Sequence, residues 1–293
     1  MKVWLDGQLV ERDDAKISVF DHGLLYGDGV FEGIRVYGRD IFQPRAHLDR
    51  LFYSAEKIRL TIPYTREELL AAMKQCVEAD GVDNGYFRLV VTRGVGNLGL
   101  NPFQCSHATT FIIFDQLRMY TDEMYEKGMA VIIAKSVRRA GANVLDPSVK
   151  SLNYLNNILA KIECVDAGVL EVLMCNDKGY ICEASGDNVF IVKGGVVKTP
   201  RPDAGILLGV TRGVVMHLAR REGFPVEETD VAPRDVLEAD ECFLTGTGAE
   251  VIAVTKVDEK TIGDGKVGPI TRKLLAAFRA FVHTDEEVPY GES

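Results

Sequence analysis

The stretch Val149-Lys150-Ser151-Leu152-Asn153-Tyr154-Leu155-Asn156-Asn157, in the middle of the chain, is the one around which the fold is organised. Apolar residues in and after it follow the i, i+3, i+4, i+7 spacing of one buried helical face: Leu155, Ile158, Leu159 and Ile162. Lys150 would then lie where a strand or loop gives way to a packed helix. A lysine held against a buried face loses hydration, and its neutral amine becomes available for Schiff-base chemistry. The alternative is a solvated lysine that merely precedes a helix, and partners elsewhere in the chain decide between the two.

Composition limits the kinds of partner. The chain has 293 residues, 46% hydrophobic content and a net charge of −9, so an attraction to nucleic acid or to anionic membranes is not expected. Small molecules or other proteins are the expected partners. The N-terminal residues lack the apolar region of a signal peptide, and no apolar run reaches bilayer length, which predicts a cytoplasmic protein.

The cysteines and histidines do not indicate a metal site. The six cysteines form no C-x-x-C pair, and the five histidines are dispersed along the chain. Reduced core thiols and no bound metal are therefore expected.

Helical and strand patterns alternate irregularly along the chain, which predicts a mixed α+β and α/β fold. Residues 1–117 are predicted as an N-terminal α/β domain, beginning with a hairpin that turns at Asp6-Gly7. The polar segment 118–128 is predicted as an interdomain linker. Residues 129–293 are predicted as a C-terminal mixed α/β domain that carries Lys150.

One motif points to a different function. Gly94-Val95-Gly96-Asn97-Leu98-Gly99 matches G-x-G-x-x-G after a predicted strand. A dinucleotide site needs a helix to begin inside this pattern, whereas Leu100-Asn101-Pro102 favours a loop. A dinucleotide-binding fold is therefore not expected.

Possible partners for the Lys150 amine lie downstream. Glu183 ends a predicted strand in a turn rich in small residues, where its carboxylate could hold the protonated ring nitrogen of pyridoxal phosphate. Gly205–Arg212 is a glycine-punctuated loop that runs into a helix, an arrangement that directs backbone N–H groups at an anion. Leu244–Glu250 is a second loop of small residues with two hydroxyls. Each feature alone is compatible with a plain turn.

Together with these features, the segment Phe20–Arg35 resembles the N-terminal signature of the class IV, fold-type IV aminotransferases that use pyridoxal 5'-phosphate. The resemblance extends from Val19 to about Phe278 and is strongest to branched-chain amino acid aminotransferases. It implies a two-domain architecture with the cofactor at the domain interface, and a homodimer or higher homo-oligomer.

The resemblance assigns roles residue by residue. Lys150 is implied as the Schiff-base lysine that also carries the proton, and Glu183 as the partner of the pyridine nitrogen. The phosphate is assigned to Arg50, Val210, Thr211 and Thr247. Tyr154 is assigned to both the cofactor and the substrate sites. His22, Asp28 and Glu32 are expected to be structural, holding the turns that position Tyr26 and Phe31.

Substrate choice is implied by Tyr86-Phe87-Arg88, which resembles the Tyr-x-Arg motif of the L-specific branched-chain members rather than the Arg-x-His motif of the D-specific ones. Tyr86 and Arg88, with Thr247-Gly248, are implied to hold substrate carboxylates. The side-chain pocket is assigned to Phe31 and Tyr154, joined by Tyr26 and Leu100 from a second subunit. Val137 and Gly248 depart from the usual family residues, which leaves the preferred amino acid less defined than the reaction.

The implied activity is a ping-pong transamination of leucine, isoleucine and valine with 2-oxoglutarate. Three reactions on the same fold stay open: a D-amino acid aminotransferase, an R-amine aminotransferase and an aminodeoxychorismate lyase. A protein that only carries or senses pyridoxal phosphate is the alternative outside enzymes. A ring-nitrogen carboxylate such as Glu183 argues against it, because simple binding does not require that pair.

Overall fold

The structure, a computed structural model, describes residues 2–117 and 119–291. The chain divides into two compact units, Met1–Leu117 with Val149–Asn153 (unit 1) and Arg118–Ser148 with Tyr154–Ser293 (unit 2). Each unit contains a β-sheet and helices, so the predicted mixed α/β class is confirmed. In the described part of the chain, no helix combines the length and the apolar character needed to cross a membrane.

Unit 1 is built on an antiparallel sheet. Its elements are β1 (Lys2–Leu5), β2 (Gln8–Glu11), α1 (His22–Tyr26), β3 (Gly29–Tyr37), β4 (Asp40–Ile41), α2 (Pro44–Lys57), α3 (Arg66–Asp80), β5 (Gly85–Thr92) and β6 (Thr109–Asp115). Within the described residues the strand order is β2-β1-β6-β5-β3-β4. Leu51 of α2 and Met73 of α3 are fully buried in the core that covers this sheet. The sheet therefore holds β3 and β5 side by side.

Local sequence signals account for two features of unit 1, a hairpin turn and the start of a helix. The predicted hairpin at Asp6-Gly7 is present as the β1–β2 pair, with Asp6 and Gly7 at positive φ. Thr65 and Glu68 form the capping box that begins α3. The G-x-G-x-x-G segment is followed by a short 3₁₀ turn at Pro102–Gln104, and no α-helix begins within the described residues between β5 and β6. The expected loop is confirmed.

Unit 2 is built on a larger mixed sheet. Its helices are α4 (Asp122–Lys127), α5 (Leu155–Asp166), α6 (Val210–Arg221), α7 (Pro233–Leu237) and α8 (Pro269–Phe281). Its strands are β7 (Met129–Ile133), β8 (Glu171–Cys175), β9 (Ile181–Ala184), β10 (Asn188–Lys193), β11 (Val196–Pro200), β12 (Val226–Thr229), β13 (Glu241–Gly246), β14 (Glu250–Val257) and β15 (Lys260–Thr261). The described strands follow the order β12-β11-β10-β13-β14-β7-β8-β9, and β15 pairs with β14. Glu183 of β9 also pairs with Asn188 of β10, so strands β7 to β10 with β13 and β14 form a ring.

The segment that carries Lys150 does not group with its flanking residues. Val149–Asn153 belongs to unit 1 because its backbone pairs with β3: Ser151 bridges Val30, and the Leu152 amide donates to the Gly29 carbonyl at 2.9 Å. Lys150, which was predicted in the C-terminal domain, therefore groups with unit 1. Residues predicted as the linker instead contain α4, whose N-cap is Thr121.

The predicted packing of the central helix is wrong. The predicted apolar face of α5, made of Leu155, Ile158, Leu159 and Ile162, is exposed in this chain. Asn157, Ala160 and Cys164 are the buried residues of the helix instead. Periodicity identified the helix and its apolar stripe, but a spacing of apolar residues cannot tell which partner the stripe packs against.

Candidate active site

The main chain of Lys150 is held by hydrogen bonds to β3 and α2. The Phe31 amide donates to the Lys150 carbonyl at 3.0 Å, and the Lys150 amide donates to the Ser54 hydroxyl of α2 at 3.1 Å. The side chain is half-buried, and its Nζ lies 4.6 Å from the centre of the Phe31 ring. The main chain of Lys150 is fixed, while its amine lies over an aromatic face.

The Phe31 ring also contacts Arg88, one of the predicted carboxylate-binding residues. In the β3–β5 pairing Gly33 lies opposite Arg88, whose guanidinium is 4.5 Å from the Phe31 ring and 5.9 Å from the Tyr86 ring. A Cβ added at Gly33 would lie 1.7 Å from the Tyr86 hydroxyl oxygen. Sequence analysis missed Gly33, although a glycine inside a strand often marks such a close approach. Unit 1 thus gathers an amine, a guanidinium and two aromatic rings.

The predicted phosphate ligand Arg50 has a buried partner that was expected to be structural. Its Nε and Nη2 donate to the two carboxylate oxygens of Glu32, each at 2.7 Å. Complete burial opposes the charged form of Glu32, but the charge and hydrogen bonds of Arg50, together with His47, outweigh it and lower the pKa of Glu32 from 4.5 to about 2. Glu32 was expected to hold a turn, but it lies inside β3 and orients Arg50.

His47 completes this buried group. Burial lowers the pKa of His47, so its ring is neutral near pH 7. Because an ionised Glu32 can only accept, Nδ1 of His47 donates to it, at 2.7 Å. Its Nε2 is buried and has no hydrogen-bond partner among the described residues.

In unit 2, Glu183 is buried on β9 and held from two sides. Arg139 Nη2 lies 2.7 Å from Oε1, and the Leu207 amide donates to Oε2 at 2.8 Å. Arg139 Nη1 in turn donates to Asn157 of α5 at 3.0 Å. These contacts fix the carboxylate and offset the cost of burying its charge. Arg139 was not predicted as a site residue, because its sequence neighbours gave no sign that it meets a strand more than forty residues away.

The predicted anion-binding loop is present at the start of α6. Gly209 is the N-cap and provides no side-chain hydrogen bond, so the first amides of the helix, from Val210 and Thr211, have no capping side chain. The Thr211 hydroxyl oxygen is buried and has no hydrogen-bond partner among residues 2–117 and 119–291. Helix amides and an unpaired buried hydroxyl suit a phosphate group.

Asn188, also missed, connects this loop to Glu183. Its Nδ2 donates to the Leu207 carbonyl at 2.9 Å, and its backbone pairs with both Glu183 and Thr245. A Cβ added at Gly209 would lie 2.0 Å from Asn188 Oδ1, which explains the glycine at this N-cap. The predicted Thr247 and Gly248 lie in the turn that follows β13.

Two of the remaining predicted residues, Tyr26 and Leu100, were assigned to the substrate pocket of a second subunit. Tyr26 donates to the Leu98 carbonyl at 2.6 Å, and Leu100 is 78% exposed. His22 Nε2 lies 2.7 Å from the Asn97 carbonyl, and Asp28 pairs with Arg93 at 2.9 Å. Their structural role stays a prediction. Tyr154 is the N-cap residue of α5.

Comparison with known proteins identifies aminotransferases that are similar to this chain. The sequence pattern of the family described as Amino-transferase class IV matches residues 29–257. A putative branched-chain-amino-acid aminotransferase of Methanocaldococcus jannaschii is 47% identical over 95% of this chain and 96% of its own. A D-alanine aminotransferase of Listeria monocytogenes is 38% identical over 95% of each chain. A solved branched-chain amino acid aminotransferase of T.th. with pyridoxamine 5'-phosphate superposes with a TM-score of 0.92 at 36% identity, covering 96% of this chain and 93% of its own.

Proposed function

The chain belongs to the class IV aminotransferases, and from this premise we propose that it transaminates branched-chain L-amino acids with 2-oxoglutarate by a ping-pong mechanism. The products are branched 2-oxo acids and L-glutamate. The observation that carries the substrate class is the placement of the Arg88 guanidinium against the Phe31 and Tyr86 rings, with the Lys150 amine over the same Phe31 ring. An aromatic wall accepts an aliphatic side chain, and a guanidinium binds a carboxylate in a fixed orientation.

Pyridoxal 5'-phosphate is the proposed cofactor. When bound, its conjugated ring supplies the electron sink that lets the amino acid lose its Cα proton. The buried Glu183 carboxylate and the unpaired Thr211 hydroxyl at the α6 N-terminus fit its ring nitrogen and its phosphate. The residues proposed to hold it are Lys150, Glu183, Arg50, Val210, Thr211, Thr247 and Tyr154.

The proposed work of the chain is positioning and proton transfer. Lys150 would take up and return a proton at Nζ, on a flexible stem whose backbone is fixed by β3. The Phe31 ring keeps water from one side of that amine. Arg139 holds the Glu183 carboxylate in one orientation, so the negative charge stays where a ring nitrogen would need it.

A D-amino acid aminotransferase is the second candidate, because a D-alanine aminotransferase is among the similar proteins. The Tyr86-x-Arg88 motif on β5 favours the L-specific reaction. We also propose a cytoplasmic homodimer, in which Tyr26 and Leu100 extend the substrate pocket of the partner subunit. The exposure of Leu100 supports a contact with another chain.

A substrate panel tests the proposal. Purified protein loaded with pyridoxal phosphate is assayed with 2-oxoglutarate and L-leucine, L-valine, D-leucine, D-alanine or an R-amine. We expect glutamate from the L-amino acids, at least a hundredfold faster than from the D-isomers. A higher rate with D-alanine would replace the proposal by the second candidate. The Lys150→Ala variant should lose turnover but retain measurable cofactor binding, and substantial turnover would contradict the role of Lys150.

A further inference from the structure

The loop that follows β5 carries Leu100, which the proposed function places in the substrate pocket. We call residues 93–101 the pocket loop. The Leu98 carbonyl in this loop accepts a hydrogen bond from the hydroxyl of Tyr26, the other residue assigned with Leu100, at 2.6 Å. The two leucine side chains are 71% and 78% exposed, and the described residues 96–101 form neither a helix nor a strand. The position of the pocket loop therefore depends on what holds its ends.

Arg93 holds the beginning of the pocket loop through a buried guanidinium. Its Nε and Nη2 donate to the two carboxylate oxygens of Asp28 at 2.9 and 3.0 Å. Its Nη1 donates to the Arg59 carbonyl and its Nη2 also donates to the Ile58 carbonyl, each at 2.7 Å. The Arg93 amide donates to the Asp28 carbonyl at 2.9 Å. One side chain thus joins the pocket loop to the end of α2 and to the residue before β3.

The end of α2 is shaped to receive this guanidinium. The Leu60 amide donates to the Ala55 carbonyl at 2.8 Å, which is the long hydrogen bond of a Schellman motif. Arg59 has the left-handed φ of 54° that this motif requires, at a position where glycine is usual. The motif leaves the carbonyls of Ile58 and Arg59 directed at one point, where the Arg93 guanidinium accommodates both.

The same helix is bonded to the lysine segment and to the far side of the pocket loop. The Lys150 amide donates to the Ser54 hydroxyl of α2 at 3.1 Å. The Arg59 guanidinium lies 4.8 Å from the centre of the Phe103 ring, two residues beyond the pocket loop, in a cation–π contact. Helix α2 therefore holds both ends of the loop and the main chain of Lys150 in one arrangement.

We propose that Arg93 is a positioning residue: by fixing the pocket loop, it determines how strongly the protein prefers long aliphatic side chains over short ones. The inference rests on the proposed function, which assigns Tyr26 and Leu100 to the pocket wall. Without the guanidinium, Asp28 and two α2 carbonyls lose their donors, and the loop is released together with Tyr26. Leucine then loses contacts with the displaced wall, whereas the short side chain of 2-aminobutyrate has fewer contacts to lose.

Steady-state kinetics with L-leucine and L-2-aminobutyrate test this role. In Arg93→Met, the ratio of kcat/KM for leucine to kcat/KM for 2-aminobutyrate should fall about tenfold, mainly through a higher KM for leucine, with unchanged cofactor affinity. Arg93→Lys keeps the charge and should restore part of the ratio. The control is Arg66→Met. Arg66 also pairs with a carboxylate of unit 1, Asp49 at 2.7 Å, but among the described residues it has no hydrogen bond to the pocket loop, so its ratio should be that of wild type.

Chymotrypsin cleavage of the folded, cofactor-loaded protein gives a measurement that does not depend on turnover. Cleavage after Leu98 or Leu100, located by mass spectrometry, should be about tenfold faster in Arg93→Met than in wild type or Arg66→Met, because the released loop opens more often. If Arg93→Met does not fold, Asp28→Asn takes its place with the same expected results, since it removes the charge opposite the guanidinium and keeps the shape of the side chain.

Equal losses of kcat/KM for leucine and for 2-aminobutyrate would overturn the proposal, because a purely structural role lowers both alike. Wild-type selectivity and wild-type cleavage in folded Arg93→Met or Asp28→Asn would also overturn it. A wild type without activity on L-leucine would instead refute the proposed function, and the cleavage rates would then decide the role of Arg93, since they are independent of the substrate.

Discussion

Replacing Glu32 by glutamine tests the buried group that orients Arg50. The substitution keeps the shape but removes the charge opposite a buried guanidinium. The pKa of Glu32 is lowered from 4.5 to about 2, a change of about 2.5 units, and at 1.36 kcal/mol per unit this corresponds to about 3 kcal/mol of folding stability at neutral pH. Because Glu32 is completely buried, solvent screening does not reduce this value. Glu32→Gln should therefore lose about 3 kcal/mol, a large part of the total stability of a typical domain.

The pH dependence of this loss has a definite sign. A carboxylate whose pKa is lower in the folded state stabilises the protein above its unfolded pKa, and that stability disappears as the pH falls through the folded pKa. The window is therefore from about pH 4.5 to below pH 2. The difference between wild type and Glu32→Gln should shrink from about 3 kcal/mol at pH 7 to about 1 kcal/mol at pH 3.

Urea unfolding of the cofactor-free protein at both pH values measures this difference without a contribution from cofactor binding. Glu123→Gln is the control, since Glu123 is an exposed glutamate paired with Lys127 four residues away, and no measurable change is expected. A difference below about 1 kcal/mol at pH 7 would refute the reasoning, as would a difference that stays constant down to pH 3.

Three further substitutions probe the candidate site. Thr211→Val removes an unpaired hydroxyl, so it should weaken pyridoxal phosphate binding about tenfold without destabilising the cofactor-free protein. The control Thr199→Val breaks an existing hydrogen bond and should cost about 1 kcal/mol of stability with unchanged cofactor affinity. Equal effects of the two substitutions on cofactor affinity, measured by fluorescence titration, would contradict this prediction. Arg139→Met should weaken cofactor binding by tenfold or more, because it removes the guanidinium that holds the buried Glu183 carboxylate. Arg139→Lys should restore part of this binding, and unchanged absorbance titrations for both variants would rule out the positioning role. Gly33→Ala should raise KM for the amino acid about tenfold with a smaller change in kcat, because the added Cβ displaces the neighbouring phenol, and steady-state kinetics with an unchanged KM would count against that contact.

Local signals in the sequence were sufficient for most elements. Asp6-Gly7 predicted the first hairpin, because turn chemistry depends on neighbouring residues. The α6 start was equally readable from its glycine-punctuated loop. The resemblance to a family supplied roles for Lys150 and Glu183, and these roles stay predictions.

The side-chain contacts that were not predicted join segments that are far apart in the sequence. Glu32 and Arg50 are eighteen residues apart, and only the packing of α2 on β3 brings them together. Arg139 and Glu183 lie far apart in the sequence, and only the folding of unit 2 brings them into contact. The face of α5 formed by Leu155, Ile158, Leu159 and Ile162 was correctly recognised as apolar but assigned to the core, because periodicity identifies an apolar face and not what packs against it.

The most direct test of the proposed function is a single half-reaction with L-leucine alone. Cofactor-loaded protein is mixed with L-leucine without any 2-oxo acid, and the absorbance of the bound cofactor and the released 2-oxo acid are followed together. We expect conversion of the cofactor to its pyridoxamine form with one 2-oxo acid released per active site, and reversal when 2-oxoglutarate is added. An unchanged spectrum with L-leucine, or conversion only with a D-amino acid, would contradict it.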